Sequence, residues 1–235
     1  MATSGTYSFS MEIDEVIQEA MEMIGGEATL GEEVRSARRS INLLLQDWQN
    51  RGIQLWTVGT TAVTVTTSTT SYDLGTENID VLEAVVNRDN IDIQIERISM
   101  EEYLKIPRKS QTGRPTQYAV RRERDKSVVF LWPIPENSTD VVKIETVKYI
   151  QDVTRSNQTA DISRRFLPCL TAGTAYFMSM KRPGVDAGRI GMLKQEYEER
   201  LMRAQEEDKE RASLKLTPRI GYVSVSYTHL RAHET

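Results

Sequence analysis

The feature that most constrains this chain is that its hydrophobic period changes twice. Apolar residues recur every third or fourth position near both ends and every second position in between. A stretch of helical period laid into a sheet would expose half of its apolar side chains, so helices and strands must segregate. The pattern predicts an α+β fold: an antiparallel helical domain formed from both chain ends, with an inserted, mostly antiparallel β domain. The helical domain takes residues 10–53 and 162–213, the β domain 54–153, and an extended tail 214–224. At 235 residues the chain is long enough to bury cores of this size.

Ser10, followed by Met-Glu-Ile-Asp-Glu, offers a hydroxyl cap and first-turn acids for a helix start. Ile13, Val16, Ile17, Ala20 and Ile24 line one face until Gly25-Gly26 stops it. A second helix over 32–51 carries Val34, Ala37, Ile41, Leu44, Leu45 and Trp48 on one face, with Gly52 as its C-cap. A short Gly-containing loop joins the two as an antiparallel pair whose apolar stripes need further partners. Beyond the β domain, 163–181 carries Phe166, Leu170, Thr174, Phe177 and Met178 in helical order, and Pro183-Gly184 breaks it. A last helix starts at 185 or 186 and runs to about 214, with Ile190, Leu193, Tyr197, Leu201 and Ala204 as its apolar positions. These stop before Gln205-Glu-Glu-Asp-Lys-Glu-Arg, so the first half is packed and the second is solvated or touches another molecule.

In the middle, 60–67 alternates small polar with β-branched residues as a half-buried strand, ended by Ser71-Tyr72-Asp73-Leu74. Strands over 79–87 and 91–98 flank the turn Arg88-Asp89-Asn90. Ser99-Met-Glu-Glu-Tyr-Leu reads as a short capped helix and 107–115 as a loop. A hairpin of 118–122 and 128–132 turns at Glu123-Arg-Asp-Lys, Trp132-Pro-Ile-Pro ends it, and 141–150 is the last long strand.

Charged residues make up 27% of the chain and mean hydropathy is −0.47, with no apolar run near the ~18 residues a spanning helix needs. The N-terminus lacks the layout of a signal peptide, so the protein is expected to stay in the cytosol where it is made, without a membrane. A net charge of −4 provides no positive field of the kind a dedicated DNA reader uses. Residues 225–235, Val-Ser-Tyr-Thr-His-Leu-Arg-Ala-His-Glu-Thr, resemble one reading frame of a sequencing adapter and are set aside, which leaves the authentic C-terminus open.

Both histidines, His229 and His233, fall inside that segment. Without them there is no Ser-His-Asp or Cys-His nucleophile and no His-based metal site. Cys169 stands alone, so neither an intrachain disulfide nor a multi-Cys zinc site can form, and it reads as a buried structural thiol. Dinucleotide and P-loop motifs are missing, and no cofactor is expected. Carboxylate chemistry stays open through Glu101-Glu102 or Glu198-Glu199, although adjacent acids on a helix point in different directions. The run Arg121-Arg122-Glu123-Arg124 is either a solvated turn or a phosphate or partner contact. Asn137-Ser-Thr and Asn157-Gln-Thr match glycosylation sequons, which carry no meaning without a secretory route.

Three segments together resemble the head-to-tail adaptor family of short-tailed bacteriophages, whose members are also called tail tubular protein A or tail accessory factor. The first is Glu19-Ala-Met-Glu-Met-Ile-Gly-Gly-Glu followed by Ala37-Arg38-Arg39-Ser-Ile-Asn-Leu-Leu-Leu-Gln-Asp-Trp-Gln-Asn-Arg51-Gly52-Ile-Gln-Leu-Trp56. It is similar to a helix pair ending in an Arg-Gly-x-x-x-Trp turn. The second joins Gly113-Arg-Pro-Thr-Gln-Tyr118 to Val129-Phe-Leu-Trp-Pro133-Ile-Pro135. The third is Glu196-Tyr197-Glu-Glu-Arg-Leu-Met-Arg-Ala with the tail Thr217-Pro-Arg-Ile-Gly-Tyr222.

The resemblance implies a non-enzymatic virion protein at the head-tail junction. It would be a ring subunit, commonly one of twelve copies, that docks beneath the portal protein, helps retain packaged DNA and receives a downstream tail or nozzle protein, with DNA only as passing cargo. It also implies that the C-terminal extension reaches along the portal. On this chain that element is Leu214, Leu216, Pro218, Arg219, Ile220 and Tyr222, whose apolar members alternate as in a strand that adds to a partner's edge. Ile190, Leu193, Tyr197 and Leu201 are expected where helices meet each other and neighbouring subunits, with the β domain towards the tail. Two other readings remain: a scaffold or fibre-attachment protein without portal contact, and a carboxylate-dependent cell-wall glycan hydrolase with opposed acids in a cleft.

Overall fold

The computed structural model describes residue 5 and residues 9–26, 31–53 and 55–207. Helix α1, Ile13–Ile24, begins two residues later than a cap at Ser10 would start it. Glu12 is drawn into a bridge with Thr159 and stands as the N-cap, its N–H donating to the Glu15 carboxylate at 2.9 Å. Gly25 closes the helix at φ 89°, a left-handed conformation that glycine adopts without a Cβ penalty. Helix α2 spans Gly31–Asn50 and buries Ala37, Ser40, Ile41, Leu44, Leu45 and Trp48.

The short helix α3, Met100–Lys105, lies within the β region. A 3-10 turn, Arg164–Phe166, leads into α4, Leu167–Ser179, and α5 runs over Ala187–Glu207. Helix α4 is apolar or small on nearly every side and accordingly buried on nearly every side. Ser40 of α2 touches Met178, Leu44 lies against Gly173, and Trp48 meets Phe166 at 5.5 Å, so α2 is antiparallel to α4. Arg200 bonds the Pro168 carbonyl and Tyr197 packs on Gly173, so α5 is antiparallel to α4 as well. The close approach requires a glycine, since a Cβ on Gly173 would lie 2.6 Å from Leu44 Cδ2 and 3.0 Å from Tyr197 Cε2. The expectation that α1 and α2 pair directly needs correction: their mutual contact is slight, and both spend their apolar stripes on α4.

The strands are β1 Val58–Thr64, β2 Ser71–Asp73, β3 Asn78–Arg88, β4 Ile91–Gln94, β5 Glu96–Ile98, β6 Thr112–Gly113, β7 Gln117–Arg122, β8 Ser127–Trp132, β9 Ile134–Pro135 and β10 Val141–Lys148. They form two four-stranded sheets, ordered β1-β10-β3-β4 and β2-β8-β7-β5, plus the small pair β6-β9. All pairings are antiparallel except β5 with β7 and β6 with β9. Asp89 and Asn90 take φ 53° and 63° between β3 and β4, which is the backbone a tight two-residue hairpin needs and which Asp and Asn tolerate.

Three strand boundaries differ from the alternation. Residues 91–98 do not form one strand: Ile95 turns inward at 4% exposed, its N–H bonds the Ala84 carbonyl, and the chain crosses from one sheet to the other. Ser71 to Asp73 is not merely the end of the first strand but a strand of the second sheet. The 107–115 loop contains β6, which pairs with β9.

Two apolar cores result. One joins residues of α1, α2, α4 and α5 with Ile53, Ile150, Val153 and Phe166. The other lies between the two sheets and is built from Val65, Leu74, Val81, Ala84, Val86, Ile95, Tyr118, Val129, Leu131, Val142 and Ile144. Strand β10 ends at Lys148, and Ile150 and Val153 already belong to the helical core, so the β region stops short of residue 153. Trp56 also leans on that core, its ring tilted 47° against Phe166 at 4.9 Å and its Nε1 donating to the Asp161 carbonyl at 3.0 Å.

Candidate functional site

Cys169 sits in the first turn of α4 at 1% exposed. Burial pushes its thiol up to about 12, against a weaker downward pull from Arg200 and Arg51. At neutral pH it is a protonated packing group rather than a nucleophile. Tyr197 is likewise pushed up to about 12 by burial, while its hydroxyl accepts from Trp48 Nε1 at 3.0 Å. That buried bond satisfies two polar atoms in the helical core.

The adjacent acids are engaged in local structure. The Glu102 carboxylate accepts from the Ser99 N–H at 2.8 Å and the Glu102 N–H donates to Ser99 Oγ at 3.1 Å, a capping box that starts α3. These bonds from Ser99 hold Glu102 below the usual carboxylate range. Glu101 pairs with Lys105 at 2.7 Å, Glu198 with Lys194 at 3.8 Å and Glu199 with Arg203 at 3.5 Å. Each is a one-turn pair on an exposed helix face, and neither couple presents two opposed carboxylates. Among the described residues no three of His, Cys, Asp and Glu gather as a metal set, and no helix is long and apolar enough to cross a membrane.

The basic hairpin divides its charges. Arg121 pairs with Glu123 at 2.6 Å and lies 5.0 Å from the centre of the Phe130 ring. Arg122 reaches across the sandwich to Asp80 on β3, which also holds Arg97 of β5 at 3.1 Å. Burial alone would raise Asp80, but the hydrogen bonds from Arg122 and the Val81 backbone and the charges of both arginines outweigh it and lower its pKa. Only Arg124, with a side chain 94% exposed and Asp125 at 3.6 Å, projects outward. A similar link closes the other end: Arg88 donates to Asp140 at 2.8 and 2.6 Å and to Glu136 at 2.9 Å. The Arg88 bonds lower the pKa of Asp140, whose side chain is 2% exposed. Asn137, read as a sequon, caps this turn through its Oδ1 on the Asp140 N–H at 3.1 Å. Asp80 as a hub was invisible in the sequence, because its two arginines become neighbours only once the sheet register is set.

Of the residues expected at subunit contacts, Leu193, Tyr197 and Leu201 lie inside the chain's own helical core at 4 to 5% exposed, facing α4, and Ile190 is half-buried. On the other face of α5, Met192 and Met202 stand 73% and 57% exposed. Leu214, Leu216, Pro218, Arg219, Ile220 and Tyr222 lie outside the described residues, as does most of the charged run after Gln205. A polar cleft of about 500 Å³ between α2 and the end of β10 is lined by Asn42, Gln46, Gln49, Asn50, Glu77 and Tyr149, among others.

The two halves of the second segment that carries the family resemblance are paired in the β region. Gly113 pairs with Pro135, Tyr118 with Leu131, and Tyr118 is 1% exposed in the sandwich core. Arg51-Gly52 ends α2 with Gly52 at φ 74°, and Trp56 four residues on seats against Phe166. No curated protein matches the chain. The family model described as SU10 adaptor protein matches residues 11–219, which takes in both cores and the segments just described. The chain belongs to the SU10 adaptor protein family, a phage head-tail adaptor family, and is a structural protein of the virion.

Proposed function

We propose that this chain is the subunit of an adaptor ring that joins the portal vertex of a phage head to the tail and helps retain packaged DNA. The match to the adaptor family over 11–219 carries the reading. It is supported by the assignments above, in which the acids and the thiol that could have done chemistry cap helices, form surface pairs or fill a core. Neighbouring subunits, commonly twelve in such a ring, meet along the outer face of α5 near Met192 and Met202. The segment 214–222 adds to the portal through Leu214, Leu216, Ile220 and Tyr222, together with Pro218 and Arg219, and the β sandwich receives the tail or nozzle protein. Fully burying one such aliphatic or aromatic side chain is worth about 2 kcal/mol, so four together can anchor an extended segment.

Mass photometry of residues 1–224, alone and mixed with the portal encoded beside it, tests this. A defined ring on the portal is expected, and removal of 214–224 should abolish portal binding. A chain that stays monomeric with its portal at every salt concentration overturns the reading.

A further inference from the structure

We infer that the β1-β10-β3-β4 sheet continues from one copy to the next, with β4 of one subunit pairing against β1 of its neighbour. This rests on the ring reading above and adds a second contact between neighbouring subunits to the one along α5.

The inner row of the sheet runs Val63, Val142, Val86, Ile93 across its four strands. The two central members are 1% and 0% exposed, whereas Val63 and Ile93, pointing to the same side, are only partly buried at the edges. The row is finished in the middle and open at both ends, as it would be if a strand were to be added on each side. Ile91 at the start of β4 is 63% exposed, and a Cβ on Gly59 of β1 would meet nothing within 4 Å.

Edge strands of proteins that work alone are guarded by charges, prolines or bulges. Here β1 contains none of these: its pairing with β10 is continuous over Val58 to Thr64, and no charged residue occurs between Arg51 and Asp73. Among the described residues, nothing pairs with its outer edge.

Strand polarity selects the occupant. Every neighbouring pair in this sheet is antiparallel, so in a sheet of four strands β1 and β4 run in opposite directions. A second copy related by rotation about a ring axis therefore presents β4 antiparallel to β1, and the ladder passes from subunit to subunit without a polarity mismatch. The contact is head-to-tail, uses two different edges of each copy, and closes when the rotation closes. A two-fold pairing of β1 with β1 would instead stop at a dimer and leave both β4 edges open.

Cysteine pairs across the junction read this directly. Ala62 and Gln94 are exposed and stand in one row on the outer face, and native Cys169 is buried and does not compete. Ala62→Cys/Gln94→Cys, with Thr60→Cys/Gln94→Cys and Thr64→Cys/Gln94→Cys to cover shifts in register, is oxidised under ring-forming conditions. At least one pair should give a ladder of covalent oligomers up to the full ring, while each single variant stays monomeric on a non-reducing gel. A ring by mass photometry with no ladder from any pair overturns the β4–β1 contact and leaves the ring reading standing. A dimer from Ala62→Cys alone replaces it with a two-fold contact. No oligomer with or without portal overturns both readings. As a second measure, Thr60→Lys/Thr64→Lys should weaken ring assembly at least tenfold with unchanged circular dichroism and melting temperature, and unchanged assembly counts against the contact.

Discussion

The two cores of this protein are held by different physics. In the helical region, α4 is surrounded by α1, α2 and α5, and Trp48, Phe166 and Trp56 form a contiguous cluster of tilted aromatic rings. Its internal polar contacts include bonds between neutral groups, such as Trp48 to Tyr197 and Thr174 to the Leu170 carbonyl, beside the bond from Lys181 Nζ to the buried Ser40 Oγ at 2.6 Å. The sandwich has a core of smaller side chains, and its corners are tied by ion pairs that cross between strands: Asp80 with Arg97 and Arg122, and Arg88 with Asp140 and Glu136. Apolar burial is neither titrated by acid nor weakened by charge screening, whereas ion pairs are. The sandwich should therefore be the region that responds to acid and to screening by salt.

The largest test breaks the helical core. Phe166→Ala removes a ring that is 0% exposed and flanked by two tryptophans, and should cost about 3 to 5 kcal/mol in urea unfolding. A cost below about 1 kcal/mol would show that the aromatic cluster is not what holds the helices. Gly173→Ala should come next, at roughly 1 to 3 kcal/mol, because the added methyl meets Leu44 and Tyr197 where neither has room. In the sandwich, Asp140→Ala leaves the partly solvated Arg88 guanidinium with Glu136 as its remaining partner, and about 1 to 3 kcal/mol is expected. That loss should shrink when Arg88 is also removed, as a double-mutant cycle would reveal.

Acid and alkali should separate the two regions. Asp80 and Asp140 have folded pKa values below the ordinary one, so they add stability above their unfolded value of about 3.9 and lose it as pH falls through the folded value. Cys169 and Tyr197 have folded values raised to about 12, so their contribution is present below the unfolded values of about 8.5 and about 10 and is lost as pH climbs towards 12. The sandwich should open first below about pH 4, and the helical core should weaken first above about pH 9. Tyr118, raised by burial, adds an alkaline loss to the sandwich as well. Peptide-resolved hydrogen exchange, corrected for its intrinsic pH dependence, distinguishes the two. Simultaneous loss of protection in both at acid pH would contradict the division of labour.

The smallest expected effect is at the hairpin tip. Arg124→Glu should leave stability and ring assembly unchanged, since the side chain touches only Asp125, whereas Arg122→Glu places a negative charge beside Asp80 and should lower the melting temperature. Equal effects of the two would mean that the hairpin contacts a partner and that Asp80 is not its main anchor.

Much of the fold was legible because local period reports it. The face Ala37, Ile41, Leu44, Leu45 and Trp48, the stop at Gly25, the Asp89-Asn90 turn and the Ser99 cap all follow from residue type and spacing. The crossing at Ile95 was not legible, because a strand that changes sheets keeps its alternation and only its partners change. The assignment of Leu193, Tyr197 and Leu201 to subunit contacts shows the same limit. Apolar spacing on α5 marks a face that must be covered, and the covering turned out to be α4 of the same chain.

By itself, the sequence determined that helices flank strands, that nucleophile-histidine and histidine-metal chemistry is missing outside residues 225–235, and that a charge-free stretch runs from Gly52 to Tyr72. These depend on composition and on neighbours a few residues apart. Tertiary structure alone decided that α4 is the hub, that Asp80 gathers two arginines, and that the uncharged strand β1 ends up on an edge with its outer side unpaired among the described residues. Each of these is a relation between residues far apart in the chain, fixed by strand register and helix packing, and neither is encoded in any local pattern.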